Sequence, residues 1–196
     1  TVSPSFNPGE PGWDMKQSEQ YAIGYALTHE FSPSLRFVNN ARYSRTDLDY
    51  RQVFAWNGLT GNPDRPLEVA REAVTHNQKI EVFNFDARLE WDTLTGPLDH
   101  KVMLGLDYSD NSTDWRGSYA DAAPLDFADP VYGRPFGPFT SYSDHDSTTE
   151  RGLYLQDIAT FGPWHATLGG RWSDVDLKYR SNDDPSWNYD VSDQVF

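Results

Sequence analysis

Three times in this chain a run that alternates apolar with polar residues meets a connection of a few residues and resumes as a second alternating run. The connections are Ser32-Pro33-Ser34, Thr95-Gly96-Pro97-Leu98-Asp99 and Gly162-Pro163, and a longer polar stretch joins each hairpin to the next. Period-two alternation belongs to strands, which send successive side chains to opposite faces. The pattern therefore confines the chain to an antiparallel meander with short turns at one end and long loops at the other.

The alternation holds residue by residue. Phe83, Phe85, Ala87, Leu89 and Trp91 share one face and Asn84, Asp86, Arg88, Glu90 and Asp92 the other; in the partner run Val102, Leu104, Leu106 and Tyr108 alternate with Lys101, Met103, Gly105 and Asp107. At roughly 3.3 Å per residue and a tilt near 40°, such a run spans a little over about 20 Å, close to the roughly 25 Å apolar band of a membrane barrel. Setting Trp91 opposite Val102 places Asp92 opposite Lys101 and Arg88 opposite Gly105, so one register satisfies both faces. In the first hairpin, Phe31 opposite Leu35 aligns Tyr25 with Ala41 and Ile23 with Tyr43, while Glu30 meets Arg36. The third hairpin is less regular: Leu153, Leu155, Ala159 and Phe161 face outward with Ala166, Leu168 and Trp172, yet Asp157 falls on their face and Ile158 on the other. Short turns at one end, long loops at the other and half-apolar strands are the pattern of an outer-membrane barrel.

Composition narrows the alternatives. Hydrophobic residues make up 37% and aromatic residues 15%, so the apolar content is concentrated in rings that suit half-buried strands and interfacial girdles. The mean hydropathy of −0.72 is compatible with a soluble protein or with a barrel whose strands are only half apolar. A formal charge of −14 argues against nucleic acid as a partner. The acidic residues crowd the loops, at Asp121, Asp126, Asp129, Asp144, Asp146, Asp183 and Asp184, where they read as solvating charge, with divalent-cation binding near a lipopolysaccharide surface as the alternative. The chain holds no cysteine, which removes disulfide, thiolate and zinc-cysteine chemistry. Thr1-Val2-Ser3-Pro4-Ser5 carries neither the basic nor the apolar region of an export signal, so an exported chain would be a mature or internal piece.

Strands are expected near 19–31, 35–56, 68–93, 99–118, 150–161 and 165–180, about six in all with boundaries uncertain by about two to four residues. Residues 1–18 read as the end of a preceding extracellular loop, 19–180 as barrel wall and 181–196 as the start of the next extracellular loop. Two strands exceed a membrane span, and past the band their apolar face gives way to Arg45, Asp47, Asp49 and Arg51, and to Glu68, Arg71 and Glu72, which should project into water. The stretch from Ala120 to Thr149 holds Phe127, Tyr132, Phe136, Phe139 and Tyr142, too many rings for a disordered linker, and reads as a folded extracellular loop.

Gly152-Leu153-Tyr154-Leu155-Gln156-Asp157 followed by Leu168-Gly169-Gly170-Arg171-Trp172 resembles the paired strands of TonB-dependent siderophore receptors. Tyr25-Ala26-Leu27-Thr28-His29-Glu30-Phe31, then Leu35-Arg36-Phe37 and Asn40-Ala41-Arg42-Tyr43, resembles an earlier hairpin of the same family, as does Phe83-Asn84-Phe85-Asp86 through Asp99-His100-Lys101 to Gly105-Leu106-Asp107-Tyr108. The likeness runs in order over nearly the whole chain and leans to the ferrichrome-type branch, hence mildly to hydroxamate ligands. It implies an all-β fold, part of a transmembrane barrel of about 22 strands around a plug, with short periplasmic turns. It also implies import of ferric siderophores across the bacterial outer membrane, driven by TonB through a plug and TonB box. Nothing in the chain resembles that plug domain or box, so it is expected to be an internal piece of the wall, with lipid as a further partner.

The resemblance places siderophore-contacting aromatics at Phe54 and Trp56, at the loop end of the second strand, and Trp115 and Tyr119 occupy the corresponding end of the fourth; an interfacial girdle is the structural alternative for all four. No cofactor and no direct iron ligand is expected, because the chelator already saturates the metal. Arg36, Arg42, Arg88 and Arg171 are expected to line the lumen with Glu30, Asp86 and Glu90. No catalytic residue is expected: Asp144-His145-Asp146 is the best local candidate for a barrel hydrolase, and adjacency alone does not make a catalytic pair. His29, His76, His100 and His165 are scattered and suggest no metal site. A soluble β-rich binding module, with its faces closed over an ordinary core, is the remaining alternative.

Overall fold

The computed structural model describes residues 6–196; positions 1–5 of the stretch read as a loop end lie outside the described residues. Seven strands pair in sequence order: β1 (Met15–Ser32), β2 (Leu35–Leu59), β3 (Glu68–Thr95), β4 (Leu98–Asp126), β5 (Thr140–Phe161), β6 (Trp164–Ser181) and β7 (Tyr189–Val195). The meander is all antiparallel β, as expected, and the short turns fall where the sequence puts them. Gly96 and Gly162 sit there at φ 59° and 55°, a left-handed conformation that favours glycine.

The structure adds a short seventh strand to the about six expected. β7 lies inside 181–196, and pairs with β6 from Tyr179↔Tyr189 to Ser173↔Val195, with the rings of Tyr179 and Tyr189 stacked at 5.4 Å. Its alternation is short, and Asp193 interrupts the apolar column of Tyr189, Val191 and Val195, which hides it in sequence. β4 and β5 also run further than expected, so the irregular part of the long loop shrinks to residues 127–139.

The chain divides into two compact units. One comprises residues 20–45, 80–113 and 145–196 and holds the hairpin strands with their short turns. Its apolar columns are open: Ile23 is 74% and Leu168 80% exposed, and Tyr21, Phe31, Trp91, Leu104, Leu106, Leu153 and Leu155 are exposed too. Among the described residues no second layer closes over them, as a soluble sandwich would require. Every buried hydrophobic residue among those described belongs to the other unit. Strands that expose their apolar face and hydrogen-bond along their length are built for lipid.

Among the polar residues on these columns, Asn39 and Asp157 each have a partner. Asn39, 6% exposed between Phe37 and Ala41, accepts from the Tyr25 hydroxyl at 2.6 Å and donates to the Asp86 carbonyl at 2.8 Å. Asp157, whose position on the apolar face looked irregular, meets His100 Nδ1 at 2.8 Å, so this histidine is not an isolated one. A polar atom facing hydrocarbon must be satisfied within the protein. The Asn39 contacts and the Nδ1–Oδ2 contact meet part of that demand, while His100 Nε2 and Asp157 Oδ1 are buried without a hydrogen-bond partner among the described residues.

The opposite face is a charge lattice. Arg36 pairs with Glu90 across β2 and β3, its Nε donating at 3.1 Å, rather than with the expected Glu30. Glu90 wins because Arg88 Nε braces its other oxygen at 2.8 Å while Arg88 Nη1 holds Asp86 at 3.0 Å, a linked set in which each member orients the next. Lys101 and Asp92 approach to 4.0 Å, as the register predicts. Arg171 donates to both Asp107 oxygens at 2.6 and 2.9 Å and to Glu150 at 3.0 Å.

The other unit comprises the described part of the first 19 residues with residues 46–79 and 114–144. Its core is Val53, Ala73 and Ala122, packed against Trp13 and Phe136. Arg71 is 3% exposed within it, so this part of β3 does not turn its charges to water as the sequence suggested; residues 6–14 cover it.

Candidate functional site

The faces of this second unit follow from strand alternation. Val53 and Ala73 point into the covered core, so Phe54, Glu72 and His76 take the reverse side of β2 and β3. On that side Phe54 and Trp56 pack edge to face at 5.8 Å. His76 is the centre of a second group, with Tyr50 at 5.7 Å, Trp115 at 6.0 Å and Tyr142 at 6.2 Å between ring centroids. Four neighbouring strands, β2 to β5, thus contribute rings to one surface.

Of the four residues singled out in sequence, Phe54 and Trp56 touch each other, whereas Trp115 meets His76 instead. Trp56 is 50% and Tyr119 45% exposed, open enough to meet a ligand. Phe54 and Trp115 are half-buried.

Sequence reasoning missed His76, Tyr50 and Tyr142. Tyr142 fell in the assumed loop, and His76 had no metal-ligand or catalytic spacing to mark it. A usable signal was present at Gly117, where a Cβ would run into the Tyr142 ring: glycine on one strand makes room for the aromatic ring of the next. Burial pushes the Tyr142 phenol above the usual tyrosine range, and the carboxylates of Asp144 and Glu72 add to the effect.

The surface is suited to shape recognition by aromatic and polar contact. Among the described residues no group of three or more His, Asp or Glu side chains could hold a metal ion. Asp144, His145 and Asp146 occupy consecutive positions of β5, so the histidine and the two carboxylates point to opposite faces and form no catalytic pair. In the hairpin unit a concavity of 560 Å³ is lined by Asn40, Arg42, Asn84, Asp86, Asp107 and Ser109 among others.

A seven-stranded antiparallel meander with an open apolar face, a charged reverse face and aromatic rings at its long-loop end is the wall of a transmembrane β-barrel. Residues 1–194 match the family described as TonB dependent receptor-like, beta-barrel, and the chain belongs to that family. It is therefore an outer-membrane protein. The ferrioxamine B receptor of Salmonella typhimurium (strain SL1344) is 29% identical over 177 residues, 90% of this chain and 24% of the receptor. The ferrichrome outer membrane transporter/phage receptor of Escherichia coli (strain K12) is 27% identical over 201 residues, 86% of this chain and 26% of that protein. Among solved structures, the siderophore receptor PiuA of Acinetobacter baumannii superposes with a TM-score of 0.75 at 19% identity, covering 98% of this chain and 30% of that one, which shows the shared fold. The chain spans about a quarter of the length of the curated relatives it matches.

Proposed function

We propose that this chain is a barrel-wall segment of an outer-membrane receptor that binds ferric siderophores and imports them by TonB-dependent active transport. The observation that carries the reading is the aromatic surface of Phe54, Trp56, His76 and Trp115 on strands whose hairpin parts expose an apolar face. The names of the relatives, receptors for ferrioxamine B and a ferrichrome transporter, support it.

The protein's task at such a surface is recognition. Iron in a siderophore is already saturated by the chelator, so the segment supplies rings and polar groups to the chelator's outer shell and contributes no metal ligand, no cofactor and no bond-making step. Phe54, Trp56, Trp115 and Tyr119 are the ligand contacts in this reading. The strands bury their apolar columns in lipid, residues 60–67, 127–139 and 182–188 form extracellular loops, and the short turns face the periplasm. Coupling to TonB runs through a plug and TonB box belonging to the whole receptor.

The test is titration of the intact receptor with a panel of ferric siderophores, comparing wild type with Trp56→Ala and Trp115→Ala. Loss of one well-packed ring should weaken the cognate ligand about tenfold, or roughly 1.4 kcal/mol. Unchanged affinity for every ligand in both variants would remove these residues from the site.

A further inference from the structure

The covered side of β2, β3 and β4 carries an arrangement that the ligand surface alone does not explain. Glu10, 4% exposed, is a single carboxylate holding three pieces of chain. Its Oε2 accepts from Arg71 Nη2 at 3.1 Å, and its Oε1 accepts from the backbone N–H of Gly133 in the β4–β5 connection. Arg71 places its other donors on carbonyls: Nε on Ala123 at 2.8 Å, and Nη1 on Pro8 at 3.2 Å and Gly9 at 3.0 Å. The planar five-donor fork of arginine is the side chain that can serve such a set.

The contacts around this pair extend it into a strap. The Tyr132 hydroxyl donates to the Asn7 carbonyl at 2.8 Å, and Trp13 packs edge-on against Phe136 at 4.8 Å, so residues 6–14 and 127–139 hold each other. Asp14 Oδ1 accepts from the Val53 amide at 2.9 Å, which anchors the strap to β2 immediately before Phe54. Ala123, whose carbonyl Arg71 holds, lies on β4 four positions past Tyr119.

We propose that Glu10 and Arg71 are positioning residues for ligand binding. They clamp residues 6–14 and 127–139 to the back of the strands whose front presents Phe54, His76 and Trp115, so the aromatic surface is held ready before the chelate arrives. In this arrangement the β4–β5 connection is a strut behind the site rather than a lid over it. Pre-ordering the surface removes an entropic cost that ligand binding would otherwise bear. The proposal rests on the reading of that surface as the siderophore contact.

The experiment uses the intact receptor in detergent, as wild type, Glu10→Gln and Arg71→Met. Three quantities are measured: affinity for ferrioxamine B and other ferric siderophores, amide hydrogen exchange, and the unfolding temperature of the barrel. Either substitution is expected to weaken the ligand that wild type binds about tenfold. Exchange at residues 50–56 and 115–119 is expected to accelerate by a similar factor, with the barrel's unfolding temperature unchanged. Faster exchange confined to 6–14 and 127–139, with affinity unaltered, would make the pair purely structural and overturn the proposal. So would weakened binding without any change in strand exchange. If wild type binds no ferric siderophore, the receptor reading itself fails, and the exchange comparison alone upholds or refutes the clamp.

Discussion

The ring of Tyr154 on β5 lies across Gly105 on β4, and its hydroxyl donates to Asp86 Oδ2 on β3 at 3.2 Å. One side chain thereby crosses a neighbouring strand to reach the strand beyond it. Tyr142 over Gly117 repeats the glycine-and-ring packing on the same two strands. The absence of a Cβ at Gly105 is what allows the crossing, since a methyl group there would occupy the ring's position.

Gly105→Val should therefore expel the Tyr154 ring and break its bond to Asp86, at a cost of about 1–3 kcal/mol. Tyr154→Phe should lose only the hydrogen bond, about 1 kcal/mol. Urea unfolding of the refolded barrel in lipid checks both. Equal stability of Gly105→Val and wild type would show that the ring does not depend on the glycine.

The lattice around Glu90 yields a pairing test. Arg36→Glu should weaken the barrel, and adding Glu90→Arg should restore part of the loss by reversing the pair. Adding Glu30→Arg instead should restore less, because the hydrogen bond from Arg36 Nε goes to Glu90. The measurement is the unfolding midpoint of the single variant and the two double variants; better rescue by Glu30→Arg would return Arg36 to the partner its register suggested.

The hairpins were legible because the sequence repeats a physical constraint at every second residue: lipid on one side demands Phe83, Phe85 and Leu89, and a polar interior admits Asp86, Arg88 and Glu90. Register followed from satisfying both faces together, and Lys101 with Asp92 bears this out. The partner of Arg36 was not legible, since Glu30 and Glu90 both lie within reach of one column and only the brace from Arg88 decides between them. His100 with Asp157 was missed because residues 57 apart on a lipid-facing column are joined only by the register of β4 and β5. At the site, the rings at strand ends were visible, but His76 and the Glu10–Arg71 pair were not. Their roles come from long-range contacts, 61 residues apart for the ion pair, that no local period encodes.

Asp184 gives a pH dependence. Hydrogen bonds from the Ser186 hydroxyl and amide hold its carboxyl below the usual carboxylate range, as it caps the 3-10 turn Pro185–Trp187. A depressed folded-state value means the stabilisation is complete above the ordinary Asp range, near about 4, and is lost as pH falls through the lower folded value. Hydrogen exchange across 182–189, corrected for its intrinsic pH dependence, should stay constant from about pH 7 to 5 and rise only below about 4. Asp184→Ala should be loose throughout. Loosening of the wild-type turn between those higher pH values would contradict the assignment.

The orientation of the hairpin strands underlies every functional step, and nitroxide side chains placed singly from Val102 to Tyr108 in the liposome-reconstituted receptor report it directly. Collisions with dissolved oxygen should be strong at 102, 104, 106 and 108 and weak at 103, 105 and 107, with accessibility to a water-soluble nickel chelate reversed or uniformly low. In the same series Leu104→Arg should cost about 2–4 kcal/mol and Met103→Arg far less. A flat profile, or oxygen exposure greatest at the odd positions, would mean that Leu104 and Leu106 do not face lipid and that this chain is not a membrane-spanning wall.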